Sequence, residues 1–348
     1  MELESELERQ SNTKRDYTIG AQRLSMAVDK STDQVVLHGI NGGMPLKPIA
    51  HQQLASTLQI PKTYYDRMAA NDPELLAHNV NTWLKQTPPK ERKLVRTLDG
   101  EVRALLSDSY RPLDNMELAL AVLPIMHETQ SRVESTQVTD SRLYIKAVSE
   151  RVRGEVVVGD VVQAGMVISN SEVGLGSLSV QYLDFRLVCL NGMIRERAIR
   201  KAHLGRTARG ADQIEDAQEY FRDETRALND AAFFSSVGDV VRGMFDKERF
   251  EKRLRQYAGI AEIEIPDPVQ TIELTSKKFG FNEEERKAIF SNFVKGGDST
   301  AWGLANAITR TAQDLPSYDR STEFEKFGGD VIELTQADWK ILTPSAKA

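Results

Sequence analysis

The chain has 348 residues, with 45 Lys and Arg against 51 Asp and Glu, a formal net charge of -6 and a single cysteine, Cys189. That length supports one large domain or two ordinary ones around a substantial core, and the acidic balance excludes a surface coated for polyanions, so any nucleic-acid contact must come from a local stripe. One cysteine excludes an internal disulfide framework and suits a reducing compartment, while no apolar run reaches spanning length, so the expected location is cytoplasmic with no membrane partner.

Residues 1–16 are polar and mixed in charge, with Leu3 and Leu7 the only large apolar side chains, and are read as a flexible arm. Short β-like runs such as 34–38 follow, broken by Gly39, Gly42 and Gly43. Residues 52–59 and 62–68 predict two short helices around Ile60-Pro61, since proline suits a first helical turn, and a third over about 73–84 carries Leu75, Leu76, Val80 and Trp83 at helical spacing. Lys62, Thr63 and Tyr64 give the first pair the outline of a helix-turn-helix, but the second helix has no cationic excess, so the pair is read as a packed helical hairpin. Asp99-Gly100 between 93–97 and 102–106 predicts a tight β-hairpin, and a helix over about 116–127 is capped by Asp114 or Asn115. Residues 137–148 and 155–170 read as strands. Along the first, Arg142, Tyr144 and Lys146 alternate cation and aromatic, which suits either a stacked base with its phosphates or a sheet edge protected by charge.

From 167 to 210 the pattern is densest. Leu183, Phe185, Leu187 and Cys189 alternate with Tyr182, Asp184, Arg186 and Val188, the period of a strand with one buried face. Ahead of it, small polar residues and two glycines over 169–176 predict an exposed turn, either a phosphate cradle or a plain hairpin loop. Asn191-Gly192 favours positive φ and predicts a second turn. Arg195, Arg197, Arg200, Lys201, Arg206 and Arg209 follow, with His203 among them, Arg186 behind them and only Glu196 opposing. Guanidinium forks match phosphate oxygens in pairs, which points to an anionic ligand; the same charges also suit internal pairing with the acidic stretch 212–224. Beyond it, helices are predicted over about 214–228 and 237–257, from Asn282 onward, and over 301–313, the last with Trp302, Leu304, Ala305 and Ile308 on its packing face.

The five histidines are scattered and no cysteine pair exists, so no metal and no cofactor is expected. No Gly-rich phosphate fingerprint is present. Asp108, Asp114 and Glu172, all in turns, are the candidate carboxylates for a metal-dependent nuclease or hydrolase, although acids in turns also cap backbone amides.

Four segments, SDSYRPLDN at 107–115, ISNSEVG at 168–174, FRLVCLNGM at 185–193 and WGLANAIT at 302–309, resemble in that order a family known as a domain of unknown function, DUF932, of phage/plasmid-like proteins. The resemblance spans about 49–334 and implies a setting on bacteriophages, plasmids and other mobile elements, beside DNA-repair and antirestriction genes; it brings no catalytic set. The expected fold is α+β, an antiparallel β-sheet core over 17–210 with an N-terminal helical hairpin, and a mostly helical C-terminal region over 211–348 packed on it. The expected function is nucleic-acid binding in phage or plasmid DNA metabolism (recombination, repair or replication), with single-stranded DNA favoured and a homo-oligomer as the assembly. Arg186, Arg195, Arg197, Arg200, Lys201, His203 and Arg206 would hold phosphates, with Lys146 beside Tyr144 and Tyr182 as stacking faces. The alternatives are the metal-dependent hydrolase and a protein-only inhibitor of a host factor.

Overall fold

Turn and cap chemistry builds the amino-terminal third of the chain, whose computed structural model describes residues 2–110, 113–188, 190–201 and 223–343. Asp99 and Gly100 both take positive φ, 56° and 82°, so a two-residue turn joins β5 (Arg92–Leu98) to β6 (Glu101–Ser107), as the dipeptide predicts. Strand β1 (Arg15–Gly20) pairs with the other edge of β5, giving a three-stranded sheet. A second such sheet holds β2 (Ser25–Asp29), β3 (Gln34–Ile40) and β4 (Gly42–Pro45). The helices α2 (Pro48–Thr57) and α3 (Lys62–Asn71) form the expected hairpin, and α4 (Pro73–Gln86) begins at the Asp72 cap, whose carboxylate accepts from Leu75 N at 3.0 Å. Leu37, Leu54, Tyr65, Leu76, Val80 and Val95 share one core here.

The segment expected as a flexible arm contains the helix α1 (Glu2–Thr13). Its Leu7 is buried, Leu3 packs against a buried apolar cluster, and Arg9 pairs with Asp99 on the β5–β6 turn, so apolar contacts and an ion pair seat it.

After α5 (Asn115–Glu128), five strands run as an antiparallel meander: β7 (Ser131–Val138), β8 (Leu143–Glu155), β9 (Val161–Asn170), β10 (Leu178–Arg186) and β11 (Asn191–Lys201). Among the described residues β11 pairs with β10 alone, so it is an edge strand. The alternation along β10 predicts one buried face, but both are covered. Met166, Ile168, Leu178 and Val180 pack under α5 and α6 (Asp223–Met244), whereas Val148, Val167, Leu183, Phe185 and Ile194 form a separate cluster on the opposite face. The Asn191-Gly192 turn is displaced by one residue. Asn191 opens β11 opposite Arg186, and Leu190 carries the positive φ, 50°. Asn191 is held there because its side-chain amide bonds Thr309 Oγ1.

The carboxy-terminal helices are α7 (Lys247–Ala261), α8 (Pro268–Phe279), α9 (Glu283–Gly296), α10 (Ala301–Thr311), α11 (Tyr318–Ile332) and α12 (Gln336–Leu342). The central one is α10, with both ring and aliphatic faces buried, and its neighbours Phe250, Tyr257, Phe324 and Trp339 close a core that reaches the sheet through Val162, Ala164 and Met193. Gly328 and Gly329 let α11 approach without side chains between: a Cβ at the first would overlap Thr309 of α10, and at the second the carbonyl of Ile194 in β11. The whole is an α+β fold, with helices over both faces of the meander. The expected boundary at 210 and 211, like Cys189, lies outside the described residues. No helix among those residues is long and apolar enough to cross a membrane.

Candidate nucleic-acid interface

The ladder register sorts the expected phosphate and base contacts into two groups. Directly opposed residues of antiparallel strands share a face. One row runs Ser135, Lys146, Val167, Gln181 to position 197; the next runs Gln137, Tyr144, Ser169, Ser179 to position 200. Tyr144 and Lys146 therefore belong to the rows that end at Arg197 and Arg200 on the edge strand. Tyr182 and Arg186 lie in the alternating rows, opposite Met166 and Val162, and Lys201 stands opposite Leu178. His203 and Arg206 lie outside the described residues.

At the β8 end of those rows, α11 covers the sheet. The Tyr144 ring lies 5.3 Å from that of Tyr318, and burial, reinforced by Asp319, pushes its hydroxyl above the ordinary tyrosine range. Lys146 pairs with Glu325 and lies over the Tyr318 ring at 4.7 Å. Burial works against its ammonium, but Glu325 and Tyr318 outweigh that cost and hold its pKa above the usual lysine value. Both side chains are thus engaged within the protein. Midway along the rows the Ser169 and Ser179 hydroxyls bond each other at 3.0 Å.

The opposite face is organised around Asp184, which is fully buried. Arg253 of α7 grips it through Nε and an η-nitrogen at 3.0 to 3.2 Å, and the Tyr257 hydroxyl donates to its second oxygen. Tyr182 lies beneath the same guanidinium, 4.4 Å from ring centre to Cζ. Arg195 reaches Tyr257 at 3.3 Å, Gln256 at 3.1 Å and Glu333 at 3.1 Å. Burial opposes the charge on Arg195, yet Tyr257, Glu333 and Asp184 raise its pKa overall. Arg186 pairs with Asp160 at 2.5 Å, and the other Asp160 oxygen accepts from the Trp302 indole at 2.8 Å. Such a network fixes helices on a sheet, since Asp184 and Asp160 each meet one arginine and one aromatic donor.

Of the candidate carboxylates, Asp114 and Glu172 meet on Lys14. Asp108 lies in the exposed turn after β6. Asp114 caps α5, accepting from Met116 N at 2.9 Å, and pairs with Lys14. Glu172 is buried in the loop after β9, 2.8 Å from Arg103, 3.6 Å from Lys14 and accepting from Asn115 N at 2.9 Å. Burial alone would raise its pKa, but Arg103, Arg96 and Lys14 hold it below the usual carboxylate value. This loop differs from the exposed turn expected over 169–176. Ser171, Glu172 and Val173 are buried, and the Ser171 and Val173 carbonyls accept from Tyr110 and Gln53, so the loop joins the amino-terminal sheets to the meander. Among the described residues, no group of three His, Cys, Asp or Glu side chains is placed to hold a metal ion.

Sequence reading did not find Asp160, Arg103, Arg253 or Tyr257, because their partners are more than twenty positions away. Asp184, between Leu183 and Phe185 in a period-two alternation, gives no local sign of burial, because an acid at that position fits a solvent face.

The four sequence segments of the resemblance meet in two pairs. Segments 107–115 and 168–174 join around Glu172 and through Asn170, whose amide donates to Leu113 O and Asn115 Oδ1 at 2.8 Å each. Segments 185–193 and 302–309 join through Asn191 and Thr309 and through Asp160, which bridges Arg186 to Trp302. Comparison with curated proteins and with solved structures finds no match. The family described as Domain of unknown function (DUF932) matches residues 104–315, more than half of the chain and all four segments, and the chain belongs to that family.

Proposed function

We propose that the protein binds nucleic acid, single-stranded DNA by preference, along the β11 side of the five-stranded sheet, as a homo-oligomer serving phage or plasmid DNA metabolism in the bacterial cytoplasm. The observation that carries this reading is the position of the basic run. It continues off the edge strand β11, which has a ladder partner on one side only among the described residues, in a chain whose net charge is -6. Because Lys146, Arg186 and Arg195 are spent on Glu325, Asp160 and Glu333, the phosphate contacts fall to Arg197, Arg200, Lys201, His203 and Arg206.

The test is binding to single- and double-stranded oligonucleotides, followed by anisotropy across a range of salt concentrations. Affinity falls with salt, with a slope of about 0.7 per neutralised phosphate on a single strand. Replacing Arg197, Arg200 and Lys201 together with alanine flattens that slope by about 2. Binding that ignores salt, or a triple variant with an unchanged slope, overturns the proposal.

A further inference from the structure

Helix α4 has an inner face and an outer one. Leu76, Ala77, Val80 and Leu84 are buried, whereas Trp83 is 46% exposed and Tyr64, on α3, is 45% exposed. Both rings line an open groove of about 560 Å³, within the range of small-molecule and base sites, with Ile60, Pro61 and Pro88 as apolar walls. The Trp83 indole N–H donates to Asn79 Oδ1 at 3.1 Å, one turn back on the same helix. That bond fixes the indole and leaves its π-face, rather than its N–H, available. The polar lining is amide and hydroxyl, from Gln59, Asn79 and Gln86 with Thr57 and Thr87, and the one carboxylate, Glu91, is paired with Lys93 at 2.7 Å. Lys85 and Lys90, next in sequence to Gln86 and Glu91, are exposed and have no ion-pair partner among the described residues.

We propose that this groove stacks an unpaired nucleobase of a single strand on Trp83 and Tyr64, with Gln59 and Gln86 meeting the base edge and Lys85 and Lys90 the flanking phosphates. The inference rests on the nucleic-acid reading above and adds the element that selects single strands, since a base within a duplex keeps its ring faces covered. A proline-rich peptide fits less well. Such a segment presents carbonyl acceptors and few N–H groups, and the indole donor that would meet them is already given to Asn79.

Trp83 is the exposed one of three tryptophans, Trp302 and Trp339 being 0% and 3% exposed, so quenching of tryptophan emission reports this groove. The full chain is titrated with an all-thymine single strand, with a duplex of equal length and with a proline-rich peptide, anisotropy being read in parallel. The single strand quenches emission and the duplex does not. Trp83→Phe binds the single strand within about threefold of the native chain, because the replacement ring still stacks; Trp83→Ala loses about tenfold in single-strand affinity with an unchanged salt slope. Emission from Trp302 and Trp339 verifies that both variants are folded. Strand binding without quenching, a Trp83→Ala variant of native affinity, or quenching by the peptide alone overturns the base site while leaving the edge-strand reading standing. Absence of binding to any oligonucleotide removes both.

Discussion

Trp302 and Trp83 make the same bond in opposite settings. Each donates its indole N–H to a side-chain oxygen, Asp160 at 2.8 Å and Asn79 at 3.1 Å. Around Trp302 every surface is used: the Tyr257 ring stacks on it at 5.1 Å and 22°, and its acceptor also holds Arg186. Around Trp83 the bond orients a ring that is left half open to solvent. A satisfied polar tip therefore does not distinguish a structural aromatic from a binding one; what covers the ring face does.

Substitutions can break this contrast. The largest effect is expected at Trp302→Ala, which empties a buried ring site and leaves one Asp160 oxygen without its indole donor, lowering stability by about 3 to 5 kcal/mol in denaturant unfolding. Asp184→Asn comes next, at about 3 kcal/mol, since Arg253 and Arg195 lose the charge they surround. Glu172 provides a pH-dependent check. Its folded pKa is lowered, so its contribution is fully present above the unfolded carboxyl value and is lost as pH falls through the lowered one. Denaturation midpoints at about pH 7 and about pH 3 should differ less in Glu172→Gln than in the native chain. The smallest effect is at Trp83→Ala, within about 0.5 kcal/mol, while single-strand binding falls. A loss at Trp83 as large as that at Trp302 would erase the distinction between the two sites.

Local chemistry was legible wherever it acts within a few residues. Asp99-Gly100 announced its turn, Pro61 marked a helix start, and the β10 alternation was real. What escaped was decided over long range. The period of β10 cannot say that a second helical layer covers the other face, so Asp184 looked like a surface acid. Of Leu75, Leu76, Val80 and Trp83, all at helical spacing, only Leu76 and Val80 are buried, because the packed stripe is narrower than the apolar one. For the interface, composition located the basic run but could not divide it. The ladder register separates positions 197 and 200 from Arg186, and ion pairs with Asp160 and Glu333 commit Arg186 and Arg195 to the interior.

The paired glycines of α11 have a mechanical consequence. With Thr309 of α10 pressed against Gly328 and the Ile194 carbonyl of β11 against Gly329, no pliable layer separates strand from helix or helix from helix. The three elements are geared together. Strain applied to the β11 strand is therefore transmitted through these contacts to the helix at the centre of the carboxy-terminal layer.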